Sequence, residues 1–232
     1  MTGAAWRLTD LQFQVLCDEF RRGSLPAPFS FVSRIASARV YDAECARLRG
    51  LIRASTDAAF LTMTATLRRP DVFVVARSWQ DFAYADSTRH IRLHGILKGD
   101  DAYLMSQLPG ETVEHSGGFD IVRHDRADLV AAVFARFPAI GAGAGEPIPA
   151  AYHDRSPFLE GPAVASGFIK VLSGARDADG TRREVGYMWR DLPGDGRYTL
   201  PLHRPEPAAR PMGSTELAAW AEEQIAAVYA RL

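Results

Sequence analysis

The sequence predicts an α+β fold built on antiparallel sheet, and three observations carry that reading. Residues 71–122 hold four strand-like runs separated by short turns, the spacing of an antiparallel meander. Residues 164–202 hold three more runs of the same kind. Each set is followed by a helix-like segment with an apolar face, 125–137 after the first and 214–231 after the second. Each half therefore reads as a meander closed by a helix.

In chain order, Thr9 is a good N-cap, and Leu11, Phe13, Val15, Leu16 and Phe20 recur at helical spacing to about Arg22, where Gly23 fits the C′ position. The prolines of LPAPF (25–29) favour extended chain, and SFVSRIAS (30–37) reads as a strand. Val40–Ile52 is helical. Thr56–Asp57 can cap a further helix over Ala58–Leu67, and Pro70 closes this helical part.

The strands follow: 71–79, nearly continuous in β-branched and aromatic residues; 89–97, strictly alternating; 102–108; and 112–122, where Gly117–Gly118 suggests a bulge. Within 89–97, Ile91, Leu93 and Leu97 share one face and His90, Arg92 and His94 the other, read as an exposed polar face. Asp125 caps a helix through Phe137. GAGAGEPIPA (141–150) reads as a linker, and the loop-rich segment after it reaches about Pro162. Strands are then expected at 164–172, 183–191 and 196–202, with a polar turn at 175–181. A Pro-rich connector covers 205–211. Ser214 caps the last helix, its N-terminus favoured electrostatically by Glu216. The expected organisation is a single domain over 1–232, with halves of about 1–140 and 163–232 joined by the Gly/Pro-rich region 141–162.

Composition excludes several classes of function. The chain has 232 residues, 47% apolar and 24% charged, with a formal net charge of -1, so neither nucleic acid nor an anionic membrane is an expected partner. Two cysteines, Cys17 and Cys45, make no disulfide framework and suit reduced thiols. The N-terminal stretch lacks a secretory pattern, and no apolar run is long enough to span a bilayer. A cytoplasmic location is the expectation.

No motif supplies catalysis. His90 and His94, four apart in a strand, would be about 13 Å apart, too far for one zinc ion. GAGAG follows a helix and runs into proline, unlike a dinucleotide loop. DADG (177–180) lacks the later ligands of a calcium loop. No catalytic residue, metal or cofactor is expected. The loop WQDFAYADSTR (79–89) is different. Trp79, Phe82 and Tyr84 stand among polar residues that include Asp86, the usual composition of a binding hot spot; the other reading is that one or two of these rings fold back onto the core. On the strand 183–191, Val185, Tyr187 and Trp189 share a face that is either core or the floor of a protein-binding surface.

In this order the pieces resemble the EspG family of chaperones for type VII (ESX) secretion in actinobacteria. The likeness rests on LTDLQFQVLCDEF leading into GSLPAPF, on HGILKGDDAYLMSQLPGETVEHSGGFDIV with its following helix, and on VGYMWRDLPGDGRYTL. Within the last, Gly196–Arg197–Tyr198 follows the strand end Trp189–x–Asp191, as is common in the family. The resemblance implies a central antiparallel sheet flanked by two helical bundles, with pseudo-twofold related halves. It also implies a partner, the apolar tip of the PPE protein in a PE–PPE heterodimer, kept soluble and directed to its secretion system. The expected contact set is Trp79, Phe82, Tyr84, Asp86, Lys170, Tyr187 and Trp189. A homodimer when client-free is a further expectation. The alternative function is an α+β small-molecule enzyme or ligand-binding domain, which would carry a deep pocket.

Overall fold

A computed structural model of the chain describes residues 4–21, 23, 25–150, 156–176, 180–203 and 208–232. Most of the DADG turn and the start of the 205–211 connector fall outside these residues.

The chain opens on a strand that alternation does not reveal, β1 (Ala5–Leu8), then enters α1 (Asp10–Arg21). Thr9 caps α1 as its chemistry predicts. Its Oγ1 accepts from the Gln12 amide at 3.2 Å while Gln12 Oε1 accepts from the Thr9 amide at 2.8 Å, a reciprocal capping box. Residues 30–37, expected as a strand, form none. Their polar groups bond side chains and turns instead: the Ser30 amide donates to Gln107 Oε1, and Arg34 pairs with Asp10 and Glu111. With those partners satisfied locally, no ladder is needed. Helices α2 (Ala38–Arg53) and α3 (Ala58–Arg68) follow, the latter capped by Asp57, which accepts from the Ala59 amide.

The first meander is β2 (Val72–Gln80), β3 (His90–Lys98), β4 (Asp101–Pro109) and β5 (Ser116–Asp125). The register slips between Leu108 and Pro109, and Gly118 across from it holds φ +124°. This is the irregularity that Gly117–Gly118 foretells. The helix after it is shorter than predicted: a 3₁₀ turn, Arg126–Asp128, precedes α4 (Leu129–Phe134), and Asp125 makes no side-chain cap.

Next come β6 (Ile148–Pro149), α5 (Pro157–Glu160), then β7 (Ala165–Ser173), β8 (Glu184–Asp191), β9 (Arg197–Pro201), β10 (Ala208–Pro211) and α6 (Ser214–Tyr229). The ten strands among the described residues form one antiparallel sheet in the order β1-β5-β4-β3-β2-β7-β8-β9-β10-β6. From the central β2–β7 pair, each half runs outward in chain order to β5 and β10, and an earlier, short strand, β1 or β6, closes each edge.

Period-two alternation sends each strand's residues to opposite layers. On one side Val72, Val74, Leu93, Leu104, Ile169 and Trp189 pack beneath α4 and α6. On the other, Phe73, Ile96, Tyr103, Met105, Phe119 and Ile121 pack beneath α1 and α3, with α2 held outside through Val15, Cys45 and Leu48. Both cysteines are buried free thiols. The polar face of β3 is not exposed as expected: His90, Arg92 and His94 are buried. The segment around Ser30 and the turn after β2 cover it, with His94 Nδ1 2.7 Å from the Ala27 carbonyl and an Arg92 guanidinium nitrogen 2.6 Å from the Val113 carbonyl.

The motif around residues 189–198 locks the second half. Buried Arg197 grips Asp191 bidentately at 2.6 and 2.9 Å, lies 4.8 Å from the Trp189 ring centroid, and donates to Ser214 Oγ at 3.2 Å. Ser214 Oγ also accepts from the Ile140 amide, so this side chain ties α6 to residue 140. It does not cap the helix. The residue before α6 is Gly213, whose amide bonds Glu216. Removing one partner of such a buried pair leaves the other charge stranded. The stretch read as a linker is also packed. The Gly145 amide donates to Tyr198 Oη at 2.9 Å, and the Ala144 amide to Asp195. A Cβ at Gly143 would lie 2.1 Å from the buried Tyr198 ring.

Candidate partner-binding surface

The helical layers do not cover the sheet evenly. On β7, Ile169 and Val171 point beneath α6, whereas Phe168 and Lys170 point to the opposite face. There both are half-buried and belong to none of the buried apolar clusters. The register places Phe168 beside Arg77 and Met188, and Lys170 beside Val75. Lys170 Nζ pairs with Glu184 at 2.6 Å and sits 5.7 Å from the Phe168 ring. The result is a partly open strip across the sheet's centre, apolar in its middle and charged at its edge.

The loop after β2 frames one end of this strip. Two 3₁₀ turns, Asp81–Ala83 and Ser87–Arg89, give it a fixed shape. Asp86 organises the second turn by accepting from the Thr88 amide at 2.9 Å and its hydroxyl at 2.7 Å. Those bonds, with Arg89 nearby, hold the Asp86 carboxyl below its usual pKa. Asp81 anchors the first turn to β7 and β8, accepting from Ser166 Oγ at 2.7 Å with Arg190 at 3.5 Å.

The three aromatics of the loop behave differently. Tyr84 folds back over Arg77, Trp79 and His90, with ring centroids 6.0 Å from Trp79 and 5.0 Å from His90. His90 Nε2 donates to the Tyr84 carbonyl at 2.7 Å. Desolvation foremost, with Arg77 and Arg92 nearby, lowers the His90 pKa, so the ring stays neutral at neutral pH. Phe82 instead projects outward and is 74% exposed. Val164, 45% exposed, adjoins it through the bond from the Asp81 amide to the Val164 carbonyl. Beside them an open groove of about 530 Å³ runs between Trp79, Ile91, Val164 and Leu192.

The structure thus brings Trp79, near the end of β2, together with Phe82, Tyr84 and Asp86 of the loop that follows, and sets Lys170 on the adjoining strip. It removes one expected residue, Trp189, from the surface and leaves another, Tyr187, half-buried. Trp189 has no exposed area: it packs against Phe137 and beneath Arg197, and Gly167 opposite it leaves room for the indole. Tyr187 meets Trp220 of α6 edge to face at 4.9 Å. The hairpin aromatics therefore hold the last helix. Arg77 and Phe168 were missed, although their alternation with Trp79 and Lys170 is visible in the sequence. Their juxtaposition depends on the β2–β7 pairing, which joins segments about ninety residues apart.

The sequence model of the EspG family matches residues 9–223. Among solved structures, the fold is similar to that of the Mycobacterium tuberculosis type VII secretion system chaperone EspG5 in complex with the PE25-PPE41 dimer. The TM-score is 0.54 and the identity 13%, over 94% of this chain and 95% of that one. No curated protein sequence matches the chain.

Proposed function

The chain belongs to the EspG family, and on that premise we propose that it is a chaperone of type VII secretion that holds the PPE subunit of a PE–PPE heterodimer in the cytoplasm. The observation that carries this reading is the family match across nearly the whole chain. The solved relative, itself a chaperone in complex with a PE–PPE dimer, supports it. The small-molecule alternative is not favoured, and the proposed role requires no chemistry on the client.

The surface of this chain suits the task. An apolar client tip left free invites aggregation. An exposed ring, Phe82, with Val164 and the charges of Asp86 and Arg89 nearby, offers an anchor with a polar rim, and Lys170 adds a charge farther along β7. Mismatched charge on that rim would reject the wrong client. The binding set proposed is Trp79, Phe82, Tyr84, Asp86 and Lys170, joined by Arg77 and Phe168. The outward order of the strands from β2 and β7 supports a pseudo-twofold relation between two meander-and-helix halves.

The test is co-expression with a PE–PPE pair from the same genome, followed by size-exclusion chromatography with light scattering. A 1:1:1 species is expected. Phe82→Ala should weaken it by at least about 1 kcal/mol while leaving the melting temperature unchanged, because the ring is exposed. Unaltered affinity in that variant would remove Phe82 from the interface. Failure of every pair to co-elute with the folded protein would overturn the function.

A further inference from the structure

The loop after β2 is tied to the sheet at its start by Asp81, through Ser166 and Arg190. Farther along, a triangle of Arg77, Tyr84 and His90 holds it. Arg77 Nη2 donates to Tyr84 Oη at 3.2 Å and lies 3.3 Å from His90 Nδ1, which occupies both of its hydrogens. Arg77 Nε has no hydrogen-bond partner. The guanidinium carbon sits 5.2 Å from the Trp79 ring centroid and 5.9 Å from that of Tyr84. Where this guanidinium lies therefore decides how Arg77, Trp79 and Tyr84 are presented together.

These bonds fix the chemistry of the buried His90 ring. Nε2 faces the Tyr84 carbonyl, which can only accept, and Nδ1 faces Arg77, which can only donate. The ring must be neutral, with its proton on Nε2 and a lone pair on Nδ1. A second proton, on Nδ1, would replace that acceptor with a donor and set two cations 3.3 Å apart. Arg92 of β3 adds a third positive charge. From the loop, Asp86 is engaged by Thr88 and Arg89. From the turn between β4 and β5, His115 lines a narrow cavity with His90 and Arg92. The acids of that turn are also committed, Glu111 to Arg34 and Glu114 to the Thr112 hydroxyl.

We propose that His90 is a positioning residue for the client loop and acts as a proton-operated latch: the neutral ring holds Arg77 and Tyr84 in their binding arrangement, and protonation lets them go. This rests on the client-binding reading of the surface and adds the condition under which that surface comes apart. Burial foremost, with Arg77 and Arg92, holds the His90 pKa below 6.5 against the opposing pull of the Tyr84 carbonyl and Asp86. The latch is thus closed at neutral pH and opens as the pH falls below 6.5. Over that range Asp86, lowered by its Thr88 bonds, and Glu111, brought to about 2 by Arg34, stay charged, while His94, at about 3, stays neutral. A client held at neutral pH is let go in mild acid.

The experiment is hydrogen exchange of the client-free full chain at about pH 7.5 and about pH 5, corrected for the pH dependence of free amides and read on peptides covering residues 79–89. Wild-type protection there should fall about fivefold or more at the lower pH. In His90→Gln, whose side chain does not titrate, protection should be the same at both values. His115→Gln, which removes the other imidazole of the cavity, should respond as the wild type does. A wild-type loop that does not respond, or a response that survives in His90→Gln, overturns the latch. The affinity for a PE–PPE pair is then compared at the same two values. Acid should weaken the wild type about fivefold or more relative to His90→Gln, the client's own titration being common to both. An equal pH dependence of the two affinities overturns the role of His90 in client binding. A latch that responds in exchange while no pair binds at neutral pH overturns the chaperone reading and keeps the latch.

Discussion

Single side chains in this protein divide by what surrounds them more than by what they are. Phe82 and Trp189 are both large aromatics near strand ends, yet one is mostly exposed and the other wholly enclosed. Alternation in the sequence places Trp189 on a shared face with Tyr187. It cannot say that α6 covers that face, since Trp220 lies some thirty residues on. His94 shows the same dependence on context. As a histidine in an alternating strand it reads as a solvent-facing residue; in the fold, burial and nearby Arg21 push its pKa down to about 3 from 6.5. The unfolded chain therefore binds a proton below about pH 6.5 that the folded chain refuses. Full stability is kept above that pH and is lost as the pH falls toward 3, with a slope approaching about 1.4 kcal/mol per pH unit. Urea denaturation between pH 4 and 7 should show this slope reduced by about that amount in His94→Asn. An unchanged difference between the two proteins across the range would mean that the ring is protonated in the folded state.

At the level of elements, the sequence is most legible where local chemistry and packing agree. The Thr9–Gln12 box, the Asp57 cap and the turns of the first meander stand where residue type predicts them. It is least legible where a segment is fixed by distant partners. β1 is four residues long and exists because β5 offers its edge: Trp6 pairs with Ile121 and Arg7 with Asp120, whose carboxylate the Arg7 side chain also grips at 2.6 Å. Residues 30–37 carry strand-like composition but are held by side-chain partners on other segments. The glycines at 141–145 read as slack, whereas Tyr198 packs against their bare backbone. Two neighbouring substitutions separate these readings. Gly143→Ala places a methyl against a buried ring and should destabilise by about 1–3 kcal/mol. Gly141→Ala, with nothing within 4 Å of its new Cβ, should be close to neutral. Equal effects of the two in chemical denaturation would restore the linker.

For the whole molecule, one apolar cluster joins Val72, Leu104 and Val133 of the first half to Ile169, Trp189 and Leu217 of the second. We therefore propose that residues 1–232 unfold as one cooperative unit. Calorimetry should record a single transition, and two resolved transitions would establish separable halves. The same architecture has a consequence for synthesis. The strands at the centre of the finished sheet each open a meander, preceded in their half by a short edge strand, β1 or β6. β2 is complete at Gln80, but β7, its partner along one whole edge, begins at Ala165. At about 5–20 residues per second, translation leaves that edge of β2 unpaired for several seconds, with Val72 to Ala76 unable to close their ladder. An unpaired apolar strand is a template for foreign strands. A molecule proposed to shield another protein's sticky surface thus needs cover of its own while still on the ribosome.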